Sequence, residues 1–140
     1  MHREITEEAF MEIVKNPIQY MGIYELDWLL DVNLIDCEGV IIDFHDKRIL
    51  VSAKEISEEY FDFAYFEVSK DYECRKIFTF QDEQFKYVMK DKVASNTLHF
   101  LIGKRPLIVV ADYIEQVTVA ISHWDSNGEW VDFENNNLLD

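Results

Sequence analysis

The residues of this 140-residue chain that could do chemistry are few and mostly scattered. The most compact acid and histidine cluster is Asp43-Phe44-His45-Asp46. On a strand, Asp43 and His45 would point to the same side, because side chains alternate between the two faces, so the pair could bind a metal ion or act as acid and base. A hairpin turn built from ordinary polar residues explains the same cluster, and we favour that interpretation.

Other potential ligands and nucleophiles lack the spacing that metal binding or catalysis needs. The acids at 55, 58, 59 and 62 could attract a divalent cation, but the glycine and alternating carboxylates of a calcium loop are absent. Cys37 and Cys74 stand singly, which predicts two buried reduced thiols, with a disulfide between them as the alternative. Common phosphate-binding, dinucleotide-binding, zinc-protease and serine-hydrolase motifs are missing. We expect no cofactor, no resident metal and no catalytic residues.

Charge is the most unusual property of the sequence. The chain has 13 Lys and Arg against 28 Asp and Glu, a net charge of −15. No basic residue stands between Lys15 and Lys47 or after Arg105, although each of these stretches holds seven acids. A nucleic-acid binder is expected to carry a basic footprint, so direct binding to nucleic acid is not expected. The acids either solvate the surface or attract a basic partner, raising its encounter rate about 10- to 1,000-fold at low salt.

The sequence predicts a cytoplasmic protein without a membrane span. Residues 1–8 are acidic and amphipathic, unlike the basic and then apolar start of a secretory signal. The longest uncharged apolar run, Pro106 to Ala111, has the length of a strand and is far below that of a membrane helix.

Periodicity predicts helices first and strands later. Thr6 to Lys15 places Phe10, Ile13 and Val14 on one face, with Thr6 as N-cap. Residues 18–30 carry a second helical stripe. After Gly39, short β-branched and aromatic runs alternate with polar turns. The predicted strands are 40–44 paired with 49–51, 60–68 paired with 73–80, and 98–102 paired with 107–110.

In two segments the spacing of apolar residues fits both a helix and a strand. Residues 82–93 can be a helix or a strand, and periodicity does not decide between them. Residues 113–124 fit a helix, but we favour a strand, because Asn127-Gly128 is typical of a turn between paired strands. The prediction is a single α+β domain, 1–140, with one or two N-terminal helices (1–31) packed on a mostly antiparallel β-sheet (40–133) and a loose tail (134–140).

A small, acidic, aromatic-rich chain of this type resembles the immunity proteins of bacterial contact-dependent growth inhibition and related polymorphic toxin systems. The stretch Gln116–Trp124, followed by the turn Asp125–Glu129, looks most like such families. The resemblance implies an antitoxin that covers the active site of a cognate protein toxin domain, often a basic nuclease, and so spares the producing cell.

Partner-binding residues are predicted where acids surround large side chains. Carboxylates in the positions of substrate phosphates can satisfy the lysines and arginines of a toxin, while an apolar centre supplies most of the affinity. The first predicted patch is Trp124, Asp125, Glu129, Trp130, Asp132 and Glu134, and the second is Glu55, Glu58, Glu59 and Asp62.

Two other functions remain open at this stage. An acidic mimic of nucleic acid could block DNA-binding enzymes, since fifteen net charges match some 25 Å of duplex at about one charge per 1.7 Å. A metal-dependent enzyme would be centred on Asp43 and His45. The sequence predicts no particular oligomeric state.

Overall fold

The computed structural model describes residues 2–31, 34–73, 76–78, 84–92, 96–124 and 130–132, with side chains for 3–25, 34–73, 84–91 and 96–121. Strands dominate these residues. The elements are β1 (His2–Ile5), α1 (Glu7–Ile13), β2 (Ile18–Asp31), β3 (Leu34–Phe44), β4 (Arg48–Ser57), β5 (Tyr60–Val68), β6 (Lys76–Phe78), β7 (Phe85–Lys92), β8 (Asn96–Ile102), β9 (Arg105–Tyr113), β10 (Gln116–Trp124) and β11 (Trp130–Asp132).

The predicted α+β fold is wrong, because the chain folds into one antiparallel sheet that closes on itself. Six strands form a ring in the order β2, β3, β10, β9, β8, β7, and β7 returns to β2 where Phe85 lies opposite Ile18. The described chain contains one short helix, α1, and no helical layer covers the sheet. Closure gives each of the six ring strands a neighbour on both sides, whereas β1 remains at an edge of the sheet.

The interior of the ring is filled by side chains from every second position of β8, β9 and β10. In β8 the buried side chains are Asn96, Leu98, Phe100 and Ile102, and the residues between them face outward. Apolar residues at every second position place one continuous face inside, because the side-chain period of a strand is two. The same pattern continues in β9 and β10 with Leu107, Val109, Ala111, Val117, Val119 and Ile121, all fully buried.

A second group of strands branches from the ring at β3. Residues 34–37 of β3 pair with β10, whereas residues 40–43 pair with β4, which is followed outward by β5 and β1. Gly39 lies at this division. A Cβ there would meet Leu50 Cδ1 at 2.6 Å and the Val51 carbonyl oxygen at 3.0 Å, so the close approach of β4 requires glycine.

The first predicted helix is confirmed as α1. Thr6 Oγ1 accepts a hydrogen bond from Ala9 N at 3.1 Å, and Glu7 and Glu8 occupy the first turn. Phe10 is fully buried and stacks on Tyr65 of β5, with ring centroids 4.3 Å apart.

The second predicted helix is wrong, since residues 18–31 form strand β2. Met21, Gly22 and Ile23 are buried in succession, so both faces of this segment are covered. A segment buried on both faces has no polar side, and its apolar spacing therefore fits a helix and a strand equally well. Pairing with β3 along its length decides the outcome.

Several strand predictions are confirmed and one pairing is wrong. The 40–44 and 49–51 hairpin forms with Val40 opposite Val51, and the hairpin of β8 and β9 also forms. Residues 85–92 and 116–124 are strands. The expected pairing of 60–68 with 73–80 does not occur, because β6 pairs with β2, and β5 lies between β4 and β1.

The structure describes only part of the C-terminal region for which predictions were made. β10 pairs with β11, with Trp124 opposite Trp130, as expected of strands joined by the Asn-Gly turn. The turn itself, 125–129, and the predicted tail, 134–140, lie outside the described residues. Within the described part of the chain, the structure contains no helix long and apolar enough to span a membrane.

Candidate functional site

Two hairpin turns meet at one end of the sheet. They are the β4–β5 turn at Glu58 and Glu59 and the β9–β10 turn at Ile114 and Glu115. Glu115 N donates a hydrogen bond to the Ala53 carbonyl oxygen at 2.9 Å, which holds the second turn against β4. The rings of Phe61 and Tyr113 lie 5.7 Å apart. We call the resulting region the tip surface: Glu55, Ile56, Glu58, Glu59, Tyr60, Tyr113, Ile114 and Glu115.

The tip surface exposes large apolar side chains. Ile56 is 52% exposed, Tyr60 44%, Tyr113 60% and Ile114 47%. Only Val88 and Met89, both on β7, are comparably exposed among the large apolar residues that the structure describes. Scattered apolar residues on a surface need no explanation, but a cluster rimmed by polar groups marks an interaction site.

The same two hairpins carry carboxylates that no salt bridge among the described residues neutralises. Glu55, Glu58, Glu59 and Glu115 are all exposed. Within the described ranges, none of them forms a salt bridge. Their negative potential is therefore directed to solvent, where it can attract a positively charged partner.

Two of these glutamates occupy a backbone conformation that favours glycine. Glu59 has φ 59° and Glu115 has φ 53°. This left-handed region costs an L-residue about 1–2 kcal/mol. The β8–β9 turn adopts the same conformation with a glycine, Gly103, at φ 62°. The turns of the tip surface thus carry carboxylates at positions where glycine would be less strained.

Asp62, the fourth member of the second predicted patch, is engaged inside the fold. Its Oδ1 lies 2.8 Å from Lys90 Nζ and accepts a hydrogen bond from Phe63 N at 2.7 Å. Lys90 also binds Glu7 and is 11% exposed. Burial lowers the pKa of Lys90, but hydrogen bonds and charges from Asp62 and Glu7 outweigh it and raise the pKa overall. Asp62 therefore ties β5 to β7 through Lys90, and Lys90 in turn ties β7 to α1 through Glu7.

The first predicted patch cannot be assembled from the described residues. Trp124 ends β10, and Trp130 and Asp132 lie on β11, where the backbone pairing alone is described. The remaining three members, Asp125, Glu129 and Glu134, lie outside the described residues. This patch stays a prediction.

Asp43 and His45 lie in different environments, since Asp43 is buried and His45 is exposed. Asp43 is 2% exposed, and its carboxylate accepts hydrogen bonds from Arg48 Nε at 3.0 Å and from Lys70 Nζ at 2.9 Å. His45 is exposed in the β3–β4 turn, with its Nδ1 3.3 Å from Gln19 Nε2. Asp43 serves an ion-pair network that holds the hairpin. No group of three or more His, Cys, Asp or Glu suited to a metal occurs in the part of the chain described.

Two carboxylates share one hydroxyl beside the β9–β10 turn. Thr118 Oγ1 donates to Asp36 Oδ1 at 2.6 Å, and Asp112 Oδ2 contacts the same hydroxyl. The single hydroxyl proton satisfies only one carboxylate at a time. Burial raises the pKa of Asp112, and the negative charge of Asp36 raises it further.

This arrangement predicts that Asp112→Asn stabilises the protein at neutral pH. Because its folded pKa is raised, the folded state binds the proton more tightly, and stability falls as pH rises from the unfolded towards the folded pKa. The loss of folding stability caused by the raised pKa of Asp112 is complete at pH 7. It is absent at a pH where Asp112 is protonated in both the folded and the unfolded state. We expect a gain of about 0.5 kcal/mol at pH 7, small because the side chain is partly exposed. Urea unfolding at pH 7 and pH 3 measures it; an equal gain at both pH values would contradict the explanation.

Comparisons with protein-family models, with curated proteins and with solved structures find no match. Function is therefore inferred from the side chains and their arrangement. Sequence reasoning found the carboxylates at 55, 58 and 59 but missed Tyr113, Ile114 and Glu115. Alternation from Leu107 onward, followed as far as Asp112, would have ended a strand near Tyr113 and placed Ile114 and Glu115 in a hairpin turn.

Proposed function

We propose that this protein is a cytoplasmic immunity protein that binds and neutralises a basic toxin domain through its tip surface. One observation carries the proposal: two adjoining hairpins expose four large apolar side chains, Ile56, Tyr60, Tyr113 and Ile114, together with glutamates that no basic side chain of the described residues neutralises. The resemblance of the sequence to toxin-immunity proteins is a separate line of support.

The two parts of the tip surface have different physical roles. Tyrosine and isoleucine side chains that become buried between two proteins supply most of the free energy of binding, and a few such residues usually dominate. The surrounding carboxylates accelerate association and pair with the lysines and arginines of a nuclease-type toxin. An exposed apolar centre favours a protein partner over pure mimicry of phosphate charges.

Capture from a lysate of the native host tests this function. The tagged protein is used as bait at about 50 mM and about 500 mM salt, where screening of exposed charges differs strongly. We expect one stoichiometric basic partner that survives high salt because the apolar centre retains it. Several unrelated basic proteins that are all lost at high salt, and that DNA displaces, would instead support an acidic nucleic-acid mimic.

The left-handed glutamates give a variant that separates folding from binding. Glu59→Gly with Glu115→Gly is expected to raise the free energy of unfolding by about 0.5 kcal/mol per site, because glycine relieves the backbone strain and loses part of that gain to chain entropy. The same variant should associate with the captured partner about 10-fold more slowly at low salt, since two steering charges are lost. Urea unfolding and stopped-flow association measure the two effects.

Asp46→Asn is the matched control for charge, because Asp46 is exposed in the β3–β4 turn at the opposite end of β4. It should leave association unchanged. An equal slowing per charge removed, half as large in logarithm for Asp46→Asn as for the double glycine variant, would show that net charge alone governs binding and would remove the tip surface from the account.

A further inference from the structure

A groove lies beside the tip surface on the outer face of β3, β4 and β5. Its volume is about 490 Å³. Leu50 and Ser52 point away from the main core, because Ile49, Val51 and Ala53 alternate into it.

Side-chain size explains why this face is concave. Leu50 lies opposite Phe66 and Ser52 lies opposite Ala64, so a pair of large side chains stands next to a pair of small ones. Ser52 Oγ donates to the Glu38 carbonyl oxygen at 2.6 Å, which holds this small residue in place. The groove is thus formed by residues whose positions the sheet fixes.

The walls of the groove differ in character. Tyr24 and Phe66 contribute aromatic faces, and the ring of Tyr24 is supported by Tyr72 at a centroid distance of 5.2 Å. Ile114 and Glu115 of the β9–β10 turn form the opposite side, so the groove continues directly into the tip surface.

The charge of the lining is strongly negative. Four glutamates contribute, against a single lysine, Lys54. Lys54 Nζ lies 3.9 Å from Glu4, so its charge is already balanced on that side. Glu55 and Glu115 form no salt bridge within the described ranges. A positively charged group is therefore the favoured occupant at their end of the groove. The remaining lining glutamate is Glu38.

We propose that the groove receives an extended arginine-containing segment of the basic partner, an inference that rests on the proposed function. The aliphatic stem of arginine packs on apolar surface such as Leu50 and Phe66, and its planar guanidinium stacks on an aromatic face such as Tyr24. Carboxylates at 55 and 115 accept its hydrogen bonds. The volume falls in the range of about 300–1,000 Å³ that is typical of ligand sites and exceeds the needs of one side chain. A second copy of this chain, at net charge −15, would be repelled.

A defined peptide tests the groove without the partner. The probe is acetyl-Gly-Arg-Leu-Arg-Gly-amide, and its control carries citrulline in place of both arginines, which keeps the shape and removes the charge. Methyl NMR of the full chain follows Leu50, Ala64 and Ile114. We expect the arginine peptide to shift these three methyls with a dissociation constant of about 1 mM, an affinity typical of weak short contacts. The citrulline peptide should bind at least about 10-fold more weakly.

Two groove variants make the test specific. Ala64→Trp fills the floor and should abolish the shifts of the Leu50 and Ile114 methyls. Glu55→Gln with Glu115→Gln keeps the side-chain shapes and should weaken peptide binding about 10-fold. Asp46→Asn should change nothing. Absence of shifts at about 5 mM peptide, or equal shifts in the Ala64→Trp variant, would overturn the inference.

The same variants distinguish this inference from the proposed function. Tyr60→Ser with Tyr113→Ser alters the tip surface outside the groove lining and should leave peptide binding intact. If partner binding depends on these tyrosines but not on Ala64→Trp, the groove is not part of the interface, and the proposed function stands while the inference fails. If the peptide binds but no partner is neutralised, the proposed function fails and the groove remains a site for basic peptides.

Discussion

Arg48→Met is expected to lower the free energy of unfolding by about 3–5 kcal/mol, because it leaves a buried carboxylate without its main partner. Asp43 is 2% exposed and Arg48 8%. Arg48 Nε binds Asp43 at 3.0 Å, its Nη1 donates to the Tyr72 carbonyl oxygen at 2.5 Å, and its Nη2 binds the hydroxyl of Tyr20. One side chain thus joins β2, β3, β4 and the segment after β5.

Urea unfolding of three variants checks this role. Lys70→Met should lower the free energy of unfolding much less, by about 1 kcal/mol, because the Lys70 side chain is 45% exposed and water screens its attraction to Asp43. Asp43→Leu with Arg48→Met should recover part of the loss, since no buried charge then lacks a partner. If Arg48→Met alone lowered the free energy of unfolding by less than about 1 kcal/mol, Lys70 and solvent would be sufficient to stabilise the Asp43 carboxylate.

Tyr60→Ser with Tyr113→Ser is expected to weaken binding of the captured partner at least about 30-fold, which corresponds to about 2 kcal/mol. Aromatic residues at the centre of an interface lose both apolar burial and shape complementarity when they are truncated. Both side chains are exposed in the free protein, at 44% and 60%, so the free energy of unfolding should stay within about 0.5 kcal/mol of wild type.

Met89→Ser provides the matched control, because Met89 is equally apolar and 47% exposed but lies on β7. Titration calorimetry on wild type and both variants measures the affinities. Equal losses for the tyrosine variant and for Met89→Ser, or no loss for either, would place the interface elsewhere on the molecule.

Sequence reasoning succeeded where structure is determined locally. The N-cap of Thr6 and the first-turn acids predicted α1, because capping involves residues only three positions apart. Alternation in 98–102 and 107–110 predicted the β8–β9 hairpin, since one face of each strand is buried in the ring.

Sequence reasoning failed where distant segments decide the structure. Residues 21–23 of β2 are covered on both faces, so the apolar pattern there resembles a helix until the pairing with β3 is known. Closure of the ring depends on the contact of β2 with β7, which no local pattern reveals. The apolar half of the tip surface was missed for the same reason: Tyr113 joins the carboxylates because Glu115 bonds to Ala53 in a distant strand.

The most direct test of the central claim is a titration of the captured partner's toxic activity with this protein. We predict complete inhibition at one molar equivalent by the wild-type chain and by Met89→Ser, and strongly reduced inhibition by Tyr60→Ser with Tyr113→Ser. A partner that binds without losing activity, or that the tyrosine variant inhibits as well as wild type does, would contradict a neutralising role for the tip surface.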